Sequence, residues 1–512
     1  MALGEWRGGW RRGGWSLKSD VALERALTWR QVASIAEGAT LELAEPTRER
    51  IRAARRLVES IVAQGIRAYG VNTGVGALSD VLVDRSQQRQ LSRNIVMSHA
   101  IGVGYPLGVP ETRAIIAAAI NNFSHGYSGI RLEVVERLID FLAQDCVPEV
   151  PAGGSVGYLT HMAHVSLALL GEGFVVLKGT RLSASAALQS MGFAPLVLEA
   201  KEGLSLVNGT PCATGLSALA LQRVDRLLGW ADVVAAMTFE NLRGQLAAFD
   251  PIILSLRASS NVVQVGEHLR AALKDSALLA ASASGRTQDP LSLRAIPQVH
   301  GAVRDQFEFA AVVVDRELAA VTDNPIVAGT PEAPRAHSEA HAVGAAIGLA
   351  ADSLAIAVAE LAAMSERRID RLLNPLVSRL PAFLAVQGGV NSGFMIAQYT
   401  AVALVAENRR LAAPASVDGG ITSALQEDHL SHATPAALKL LKIIEHAETI
   451  LAIELMAATQ AYEFQDTALA PAAYTKAIYT QVRARVPQYR DDRPLAYDLA
   501  RVRELLRSSL AR

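Results

Sequence analysis

The sequence predicts a mainly α-helical fold, with a long central helical bundle and a mixed N-terminal region. Three observations indicate this fold. Beyond about residue 215, long segments with apolar residues at helical spacing follow one another with few breakers. From about residue 20 to 200, glycine and proline interrupt the chain often, and short strand-like runs such as FVVL (174–177) occur. We find no internal repeat and no low-complexity linker in the 512 residues.

The long apolar segments give the expected division of the chain. They are 215–245, 306–322, 342–370, 392–412 and 434–463. Their length favours helices that share a core with their neighbours. We expect four regions, which are a flexible tail (1–19), an N-terminal mixed active-site region (20–215), a central long-helix bundle (216–465) and a C-terminal helical cap (466–512).

Composition and charge favour a small-molecule partner. Half of the residues are apolar, 19% are charged and the formal net charge is −1, which gives no sign of nucleic-acid or membrane-surface binding. The most membrane-like stretch, 342–364, contains Asp352, Glu360 and many small residues, which favours a buried helix over a membrane span. Cys146 and Cys212 match no metal spacing and are interpreted as reduced core residues of a cytoplasmic protein, with a disulfide as the alternative.

The first 18 residues alternate tryptophan, arginine and glycine. They contain no apolar run of signal-peptide length, so they do not read as a secretion signal. We interpret them as a flexible tail. The functional alternative is a basic and aromatic arm that binds nucleic acid or a partner.

Loops at helix ends are the places where a helical bundle can hold ligand chemistry, because helix N-termini present unpaired N–H groups. YGVNTGVG (69–76) allows close backbone approach to a ligand beside the phenol of Tyr69, although a simple turn with a packed tyrosine is the alternative. LVNGTPCA (206–213) presents the amide of Asn208, which could equally stabilise its own loop.

Two further loops contain charged residues. QDPLSLR (288–294) places Arg294 after a proline turn, where its guanidinium can bind a carboxylate in two-pronged fashion or form an ordinary surface salt bridge. QEDHLS (426–431) brings together Glu427, Asp428 and His429, which can be acid–base machinery or the acidic N-cap of a helix.

These loops, in this order, resemble the histidine and aromatic amino acid ammonia-lyase and aminomutase family from about residue 30 to 465. The matching stretches are YGVNTGVG, QLSRNIVMSHAIGVGYPL (90–107), GYSG (126–129), GGSVG (153–157), HMAHVSLALLGEG (161–173), LVNGT (206–210), TQDPLSLRAIPQVHG (287–301), TDNPIV (322–327), SERRIDRLLNP (365–375), NSGFMIAQ (391–398), PASVD (414–418) and QEDHLS. The resemblance implies an ammonia-lyase/fumarase-like superfamily architecture, assembled as a homotetramer whose sites draw loops from three subunits.

The resemblance also implies roles for individual residues. Tyr69 matches the catalytic base, and Arg294 matches the carboxylate-binding arginine. Asn208 matches the amide that holds the substrate carboxylate and the prosthetic group, while Glu427 matches the acid typical of histidine-type members. His99 matches the position that selects the substrate side chain.

Gln288, in the same loop as Arg294, is expected to bind substrate with it. Because an arginine and amide clamp has little structural purpose in an apolar bundle, we expect a carboxylate-bearing ligand.

The turn at Gly157 departs from the family. There GSVG is followed by Ala-Ser-Gly-Asp-Leu-Ala-Pro-Leu-Ala before His-Met-Ala, and the Ala-Ser-Gly triad cyclises into the electrophile 4-methylideneimidazole-5-one. Here only Tyr158, Leu159 and Thr160 separate Gly157 from His161. No prosthetic group is therefore expected. The triad Ala283-Ser284-Gly285 stands at another motif, lacks the following Asp-Leu-Ala-Pro, and is interpreted as a chance occurrence.

Further positions differ from the family pattern. Some residues near the turn allow two interpretations. Tyr158 can fill the cavity left by the triad or act as a second acid–base group opposite Tyr69. Leu291 stands where the family has a tyrosine, and Glu339-Ala340 replaces Asn-Phe. The histidines at 161 and 164 share a helix face but have no third ligand at metal spacing, so we interpret them as structural.

The sequence thus predicts a lyase-like enzyme that acts on a small amino or related carboxylic acid by elimination or addition. Tyr69, Tyr158 and Glu427 are the expected catalytic residues, and no metal is expected. Conventional histidine or phenylalanine deamination is expected to be weak or absent. A catalytically silent ligand-binding or regulatory paralogue is the first alternative. A conventional histidine ammonia-lyase is the second, if the deletion at Gly157 is artefactual.

Overall fold

The computed structural model describes residues 20–283, 285–417 and 419–508. The flexible tail expected at 1–19, and the serine of the Ala283-Ser284-Gly285 triad, lie outside these residues. The α-helices in the described residues are α1 Trp29–Ala36, α2 Glu45–Gln64, α3 Gln88–His99, α4 Val109–Ser124, α5 Leu132–Ala143, α6 Thr160–Leu169, α7 Ala184–Ser190, α8 Glu202–Val207, α9 Pro211–Asn241, α10 Pro251–Ser255, α11 Ser260–Ala272, α12 Ala277–Ala280, α13 Leu291–Arg294, α14 Ile296–Leu318, α15 Ala345–Leu373, α16 Pro375–Ser378, α17 Met395–Leu411, α18 Ala433–Ala461, α19 Ala473–Arg483 and α20 Leu495–Arg507.

Short strands occur in the described residues, and the first seven confirm the mixed character of the N-terminal region. They are β1 Val21–Leu23, β2 Leu41–Leu43, β3 Val103–Pro106, β4 Cys146–Pro148, β5 Pro151–Gly153, β6 Phe174–Leu177, β7 Thr180–Ser183, β8 Ile326–Thr330 and β9 Ala333–His337. The predicted strand FVVL is β6, which pairs antiparallel with β4 and β7. Strands β1 and β2 pair parallel, and β3 pairs antiparallel with β5. The β8–β9 hairpin interrupts the helical region and was not predicted.

The five long apolar segments form the helices α9, α14, α15, α17 and α18, which confirms the predicted bundle. Small residues allow these helices to approach closely. A Cβ atom on Gly215 of α9 would lie 2.5 Å from the carbonyl oxygen of Ala114 on α4. Helix α9 spans the boundary expected at 215/216, and the short helices α19 and α20 lie within 466–512. The division of the chain into four regions stays a prediction.

A buried ionic cluster connects three of the long helices. The guanidinium of Arg368 on α15 donates to Glu454 on α18 through Nε at 2.6 Å and Nη2 at 2.9 Å, and both residues are fully buried. Thr238 on α9 and Ser365 on α15 donate to the same carboxylate. A buried charge that is paired is tolerated, whereas an unpaired one is costly, so the cluster favours one register of the helices.

Within the described ranges 20–283, 285–417 and 419–508, two helical stretches are long and apolar enough to cross a membrane by length and composition, Glu202–Asn241 and Ala345–Leu373. Their most apolar windows are 100% and 67% buried inside the protein. This burial is typical of core helices. It agrees with the interpretation of 342–364 as a bundle helix, which is α15. Cys146 and Cys212 are both free and buried, so the expected thiols are confirmed.

Candidate active site

Tyr69 lies in the loop between α2 and α3. Its phenol oxygen accepts a 3.0 Å hydrogen bond from the N–H of Gly76, which closes the YGVNTGVG loop on itself. Gly76 has φ +56°, a conformation that favours glycine. Burial raises the pKa of Tyr69 above its ordinary value, the Gly76 N–H opposes this rise, and the charge of Glu427 adds to it. The loop therefore holds the phenol at a fixed point near a carboxylate.

Glu427 lies in an irregular loop that precedes α18. Thr422 and Glu427 exchange backbone hydrogen bonds, of 2.9 Å and 3.3 Å, which close the segment 422–427. Helix α18 begins only at Ala433, has His432 at its N-cap position without a side-chain cap, and has no acidic residue in its first turn. The alternative that QEDHLS is an acidic N-cap is therefore wrong. Glu427 is free to take part in the site.

Tyr158 brings the turn at Gly157 into contact with this loop. Its hydroxyl donates a 3.0 Å hydrogen bond to Oε2 of Glu427. Burial, the charge of Glu427, the hydrogen bond to it and the nearby Tyr69 together raise the pKa of Tyr158 well above the ordinary value of a phenol. Tyr158 therefore stays protonated at neutral pH. The two phenols and one carboxylate form a single cluster, which we call the Tyr69–Tyr158–Glu427 cluster.

A tight turn connects Tyr158 to helix α6. Leu159 has φ 73° and ψ −72°, and the N–H of Thr160 donates to the carbonyl oxygen of Tyr158 at 3.1 Å. This is a γ-turn of the rare, strained kind. The segment packs against the start of α18, where Thr434 donates to the carbonyl oxygen of Gly157 and His432 N donates to Val156. A strained turn thus connects Gly157 and Tyr158 to helix α6.

Residues 158–160 do not fit the prosthetic group that the resemblance implies. Tyr-Leu-Thr provides neither the serine that dehydrates nor the glycine whose nitrogen closes the ring. The Tyr158 ring is buried, with 9% of its surface exposed, and its hydroxyl is engaged with Glu427. We therefore derive no chemical step from an electrophile at this turn.

The histidines at positions 161 and 164 each contact a backbone group. The Nε2 of His161 pairs with the carbonyl oxygen of Ala152 at 3.0 Å, and the Nε2 of His164 accepts from Gly102 N at 3.0 Å. Burial lowers the pKa of both imidazoles, so both are neutral at pH 7. The structural interpretation accounts for these contacts. Within residues 20–283, 285–417 and 419–508, no group of three or more His, Cys, Asp or Glu is arranged to hold a metal ion.

Asn208 ends helix α8 and is buried. Its Nδ2 donates to the carbonyl oxygen of Asn324 at 2.7 Å, and its Oδ1 accepts from Gly209 N at 2.9 Å. The side chain of Asn324 in turn accepts from the N–H of Glu339, the residue that replaces the family asparagine. Within one chain Asn208 stabilises its own loop, and its contact with substrate remains a prediction.

Arg294 ends the short helix α13 and contacts Gln288. In the orientation that satisfies both groups, the Gln288 carboxamide oxygen accepts from Nη1 at 2.6 Å, Nη2 at 2.9 Å and Nε at 3.2 Å. Among the described residues, no recorded ion pair joins Arg294 to a carboxylate, so the surface salt bridge is not formed. Among the described residues of one chain, no hydrogen bond or ion pair joins Gln288 or Arg294 to the Tyr69–Tyr158–Glu427 cluster.

His99 is the last residue of α3, at the start of the loop that leads to β3. Its Nδ1 lies 3.1 Å from the hydroxyl of Ser98. Burial lowers its pKa, which leaves a neutral ring at pH 7. Its contact with a substrate side chain remains a prediction.

Comparison with known proteins decides the family. The model of the aromatic amino acid lyase family matches residues 27–484. The chain belongs to the aromatic amino acid lyase family. It is 44% identical over 474 residues to a histidine ammonia-lyase of Myxococcus xanthus, covering 92% of this chain and 93% of the relative. It is 45% identical over 491 residues to a histidine ammonia-lyase of Symbiobacterium thermophilum, covering 95% and 96%.

Solved structures of this lyase family share the fold. The crystal structure of histidine ammonia-lyase from Trypanosoma cruzi superposes with a TM-score of 0.87 at 37% identity, covering 96% of this chain and 93% of the other. The chain is therefore an enzyme of the lyase class with the mainly helical architecture of these relatives. The predicted resemblance to the family and the mainly helical fold are confirmed. The absence of the prosthetic group stays a prediction.

One residue near the lyase site was missed by the sequence analysis. The hydroxyl of Ser423 accepts a 3.0 Å hydrogen bond from the N–H of Ala77, so it contacts the Tyr69 loop. The sequence analysis gave Ser423 no role, although it lies four residues before Glu427. That proximity to a candidate acid was the available signal.

Proposed function

We propose that this lyase eliminates or adds an amine, or a comparable group, at a small amino acid or related carboxylic acid. Tyr69, as its phenolate, removes the proton, and the electron pair of the broken C–H bond expels the leaving group. Tyr158 is the acid for a leaving group that departs as a base, whereas a trimethylammonium group leaves as the neutral amine without a proton. The observation that carries the proposal is the hydrogen bond from Tyr158 to Glu427 beside Tyr69. This contact places two phenols side by side. Tyr69 is hydrogen-bonded and accepts a proton when it is ionised, whereas Tyr158 is buried and keeps its proton.

The substrate has to supply the activation that a built-in electrophile would supply elsewhere. A proton next to an unactivated side chain is far too weakly acidic for a phenolate whose conjugate acid has a pKa of about 10. We therefore propose that the substrate has an acidified proton or a permanently good leaving group. No external cofactor and no metal take part in the proposed reaction.

Substrate anchoring is proposed to need more than one subunit. Gln288 and Arg294 bind the substrate carboxylate with Asn208, and His99 contacts the side chain. Since the Arg294 pair is not joined to Tyr69 within one chain, a partner subunit provides it. The helices α14, α15 and α17 expose large apolar side chains suited to assembly, namely Phe309, Val312, Leu349, Ile356, Ile396 and Tyr399. We infer a homotetramer that acts in the cytoplasm.

Histidine deamination is the second candidate, and specific observations favour it. The relatives at 44% and 45% identity are named histidine ammonia-lyase. Glu427, the acid that the resemblance assigns to histidine-type members, is present and contacts the site. Under this candidate the purified protein releases urocanate from histidine at a rate comparable to its relatives.

One screen separates the candidates. The full-length protein is incubated with histidine, phenylalanine and tyrosine, with their N-trimethyl counterparts, and with a panel of other amino acids. Products are identified by mass spectrometry, and the intact mass is recorded on the same sample. We expect product from an activated or N-trimethyl substrate and little product from histidine. The intact mass of the protein should equal the mass calculated from its sequence, without the loss of two waters that formation of the prosthetic group would cause. Rapid urocanate release overturns the proposal in favour of the second candidate. Ligand binding without any turnover overturns both.

A further inference from the structure

Ser423 connects the loop of Tyr69 with the loop of Glu427. Its Oγ accepts a hydrogen bond of 3.0 Å from Ala77 N, across 346 positions of the chain. The preceding residue, Gly76, donates to the phenol oxygen of Tyr69. A Cβ atom on Gly76 would lie 2.4 Å from the Ser423 Oγ, so the two loops touch directly. One hydroxyl is therefore in contact with the peptide that positions the phenol.

The segment that holds Ser423 is strained and closed. Ser423, Ala424 and Leu425 have φ of 51°, 49° and 76°, so three consecutive residues other than glycine adopt left-handed backbone conformations. Such conformations persist only where the surroundings enforce them, and they concentrate at functional sites. Here the backbone hydrogen bonds between Thr422 and Glu427 close the segment. In this conformation the Ser423 hydroxyl accepts from Ala77 N of the Tyr69 loop, and Glu427 accepts from Tyr158.

We propose that Ser423 is a positioning residue, whose hydroxyl holds the Gly76–Ala77 peptide so that the Gly76 N–H stays on the phenol oxygen of Tyr69. The inference rests on the proposed function in one respect, the role of Tyr69 as the base. The hydroxyl contacts neither Tyr69 nor substrate in the proposed arrangement, so it acts through the loop. Its loss leaves the phenol without a fixed donor.

The electrostatic consequence has a definite sign. The groups recorded around the Tyr69 oxygen are the Gly76 N–H, Glu427 and Tyr158. The N–H favours the phenolate, whereas the carboxylate of Glu427 disfavours it. Release of the Gly76 peptide removes the favourable contact and leaves the unfavourable one. The phenol then ionises at higher pH.

The first test measures whether Ser423 holds the Gly76–Ala77 peptide, and it requires no enzymatic turnover. Hydrogen–deuterium exchange with mass spectrometry is measured on the full-length protein and on Ser423→Ala, Ser423→Asn and Ser79→Ala. We expect the peptide that covers residues 74–79 to exchange at least about fivefold faster in Ser423→Ala. Asparagine tolerates positive φ and provides an acceptor, so Ser423→Asn should stay near the parent rate. Ser79→Ala removes a hydroxyl from the same loop as the control. Unchanged exchange in Ser423→Ala overturns the proposal.

The second test measures how the loss of the Ser423 hydroxyl changes catalysis by Tyr69. It uses the substrate that the screen identifies. We expect kcat to fall about tenfold in Ser423→Ala with KM within about twofold, and the alkaline rise of the kcat profile to move upward by about half a pH unit. In Ser423→Asn, kcat and the pH of the alkaline rise should both lie close to the values of the parent protein. Faster exchange with an unmoved pH profile overturns the positioning role. If the parent protein turns over no substrate, the proposed function fails, while the exchange experiment still decides whether Ser423 holds the loop.

Discussion

The hydroxyl of Tyr158 donates to the carboxylate of Glu427 at 3.0 Å, across 269 positions of the chain. The contact joins the turn at Gly157 to the loop that precedes α18. Glu427 thereby gains a protonated phenol, and Tyr158 gains an anchor that fixes its ring. The relationship makes the two residues a unit, so variants of either should affect the same step.

The first prediction concerns that unit. Tyr158→Phe and Glu427→Gln should each lower kcat on the identified substrate by about 100-fold, because a positioned proton donor contributes roughly 10²–10⁴. The double variant should lose little more than either single variant, since members of one hydrogen-bonded unit are not additive. Steady-state kinetics of the three variants measure this.

Tyr497→Phe is the matched control for those kinetics. Tyr497 lies on α20 in the C-terminal cap, with 69% of its surface exposed. Its variant should behave as the parent protein. Full activity in Tyr158→Phe would show that the phenol only fills space.

The second prediction concerns stability at high pH. The folded-state pKa of Tyr158 is raised above the unfolded value of about 10. Its hydrogen bond therefore stabilises the fold fully below pH 10 and is lost as the pH rises beyond that value. At pH 8, Tyr158→Phe should lower the free energy of unfolding by about 1 kcal/mol.

Denaturant unfolding of the parent and the variant from pH 8 to 11.5 checks this expectation. The difference between the two proteins should shrink steadily above pH 10. The other buried tyrosines are common to both proteins and cancel in the comparison. A difference that stays constant across this range would show that the phenol of Tyr158 does not titrate differently in the fold.

The helices were predictable because apolar periodicity is a local signal. Segments of 17 to 31 residues with apolar residues at helical spacing form helices that bury their apolar faces against one another. Helices α9, α15 and α18 lie where the pattern indicated. The β8–β9 hairpin was missed. Its residues include glycine, proline and charged side chains without clear alternation, so its pairing depends on the turn geometry and on packing rather than on pattern.

The candidate site was only partly predictable. The resemblance identified Tyr69 and Glu427, and the position of Tyr158 indicated a group opposite Tyr69. The bond from Tyr158 to Glu427 depends on how two distant loops meet, which no local pattern encodes. Ser423 was missed for the same reason, since its left-handed backbone and its contact with Ala77 arise only in the folded loops.

The third prediction uses the close contact between Gly76 and Ser423. Gly76→Ala should separate the two loops, because its Cβ would lie 2.4 Å from the Ser423 Oγ and its φ of +56° disfavours alanine. We expect kcat to fall more than tenfold. Ser423→Gly removes the hydroxyl and should relieve the clash, although not the backbone strain.

A double-mutant cycle with these two variants isolates the contact. The Gly76→Ala/Ser423→Gly protein should therefore lose less activity than the sum of the single losses, with a coupling free energy of about 1 kcal/mol. Strict additivity in kcat and in the free energy of unfolding would mean that the two loops do not meet in solution.

The fourth prediction concerns the separation of Arg294 from Tyr69. Within one chain the guanidinium contacts Gln288, and among the described residues no recorded contact leads from it to the Tyr69–Tyr158–Glu427 cluster. A site assembled from different subunits should show complementation. Tyr69→Phe and Arg294→Ala, each inactive alone, are co-expressed with different affinity tags, and the hybrids are isolated on both. In random hybrids about a quarter of the sites should combine an intact Tyr69 with an intact Arg294.

The size of the recovery distinguishes the two arrangements. If Tyr69 and Arg294 of the same chain formed one site, every site in the hybrid would lack one of the two groups, and no activity would return. Hybrids of Tyr69→Phe with the Tyr69→Phe/Arg294→Ala double variant provide the control, since they contain no intact Tyr69 in any arrangement and should stay inactive. Recovery in the first hybrid with none in the second requires that the base and the carboxylate clamp come from different subunits, which only an oligomer provides.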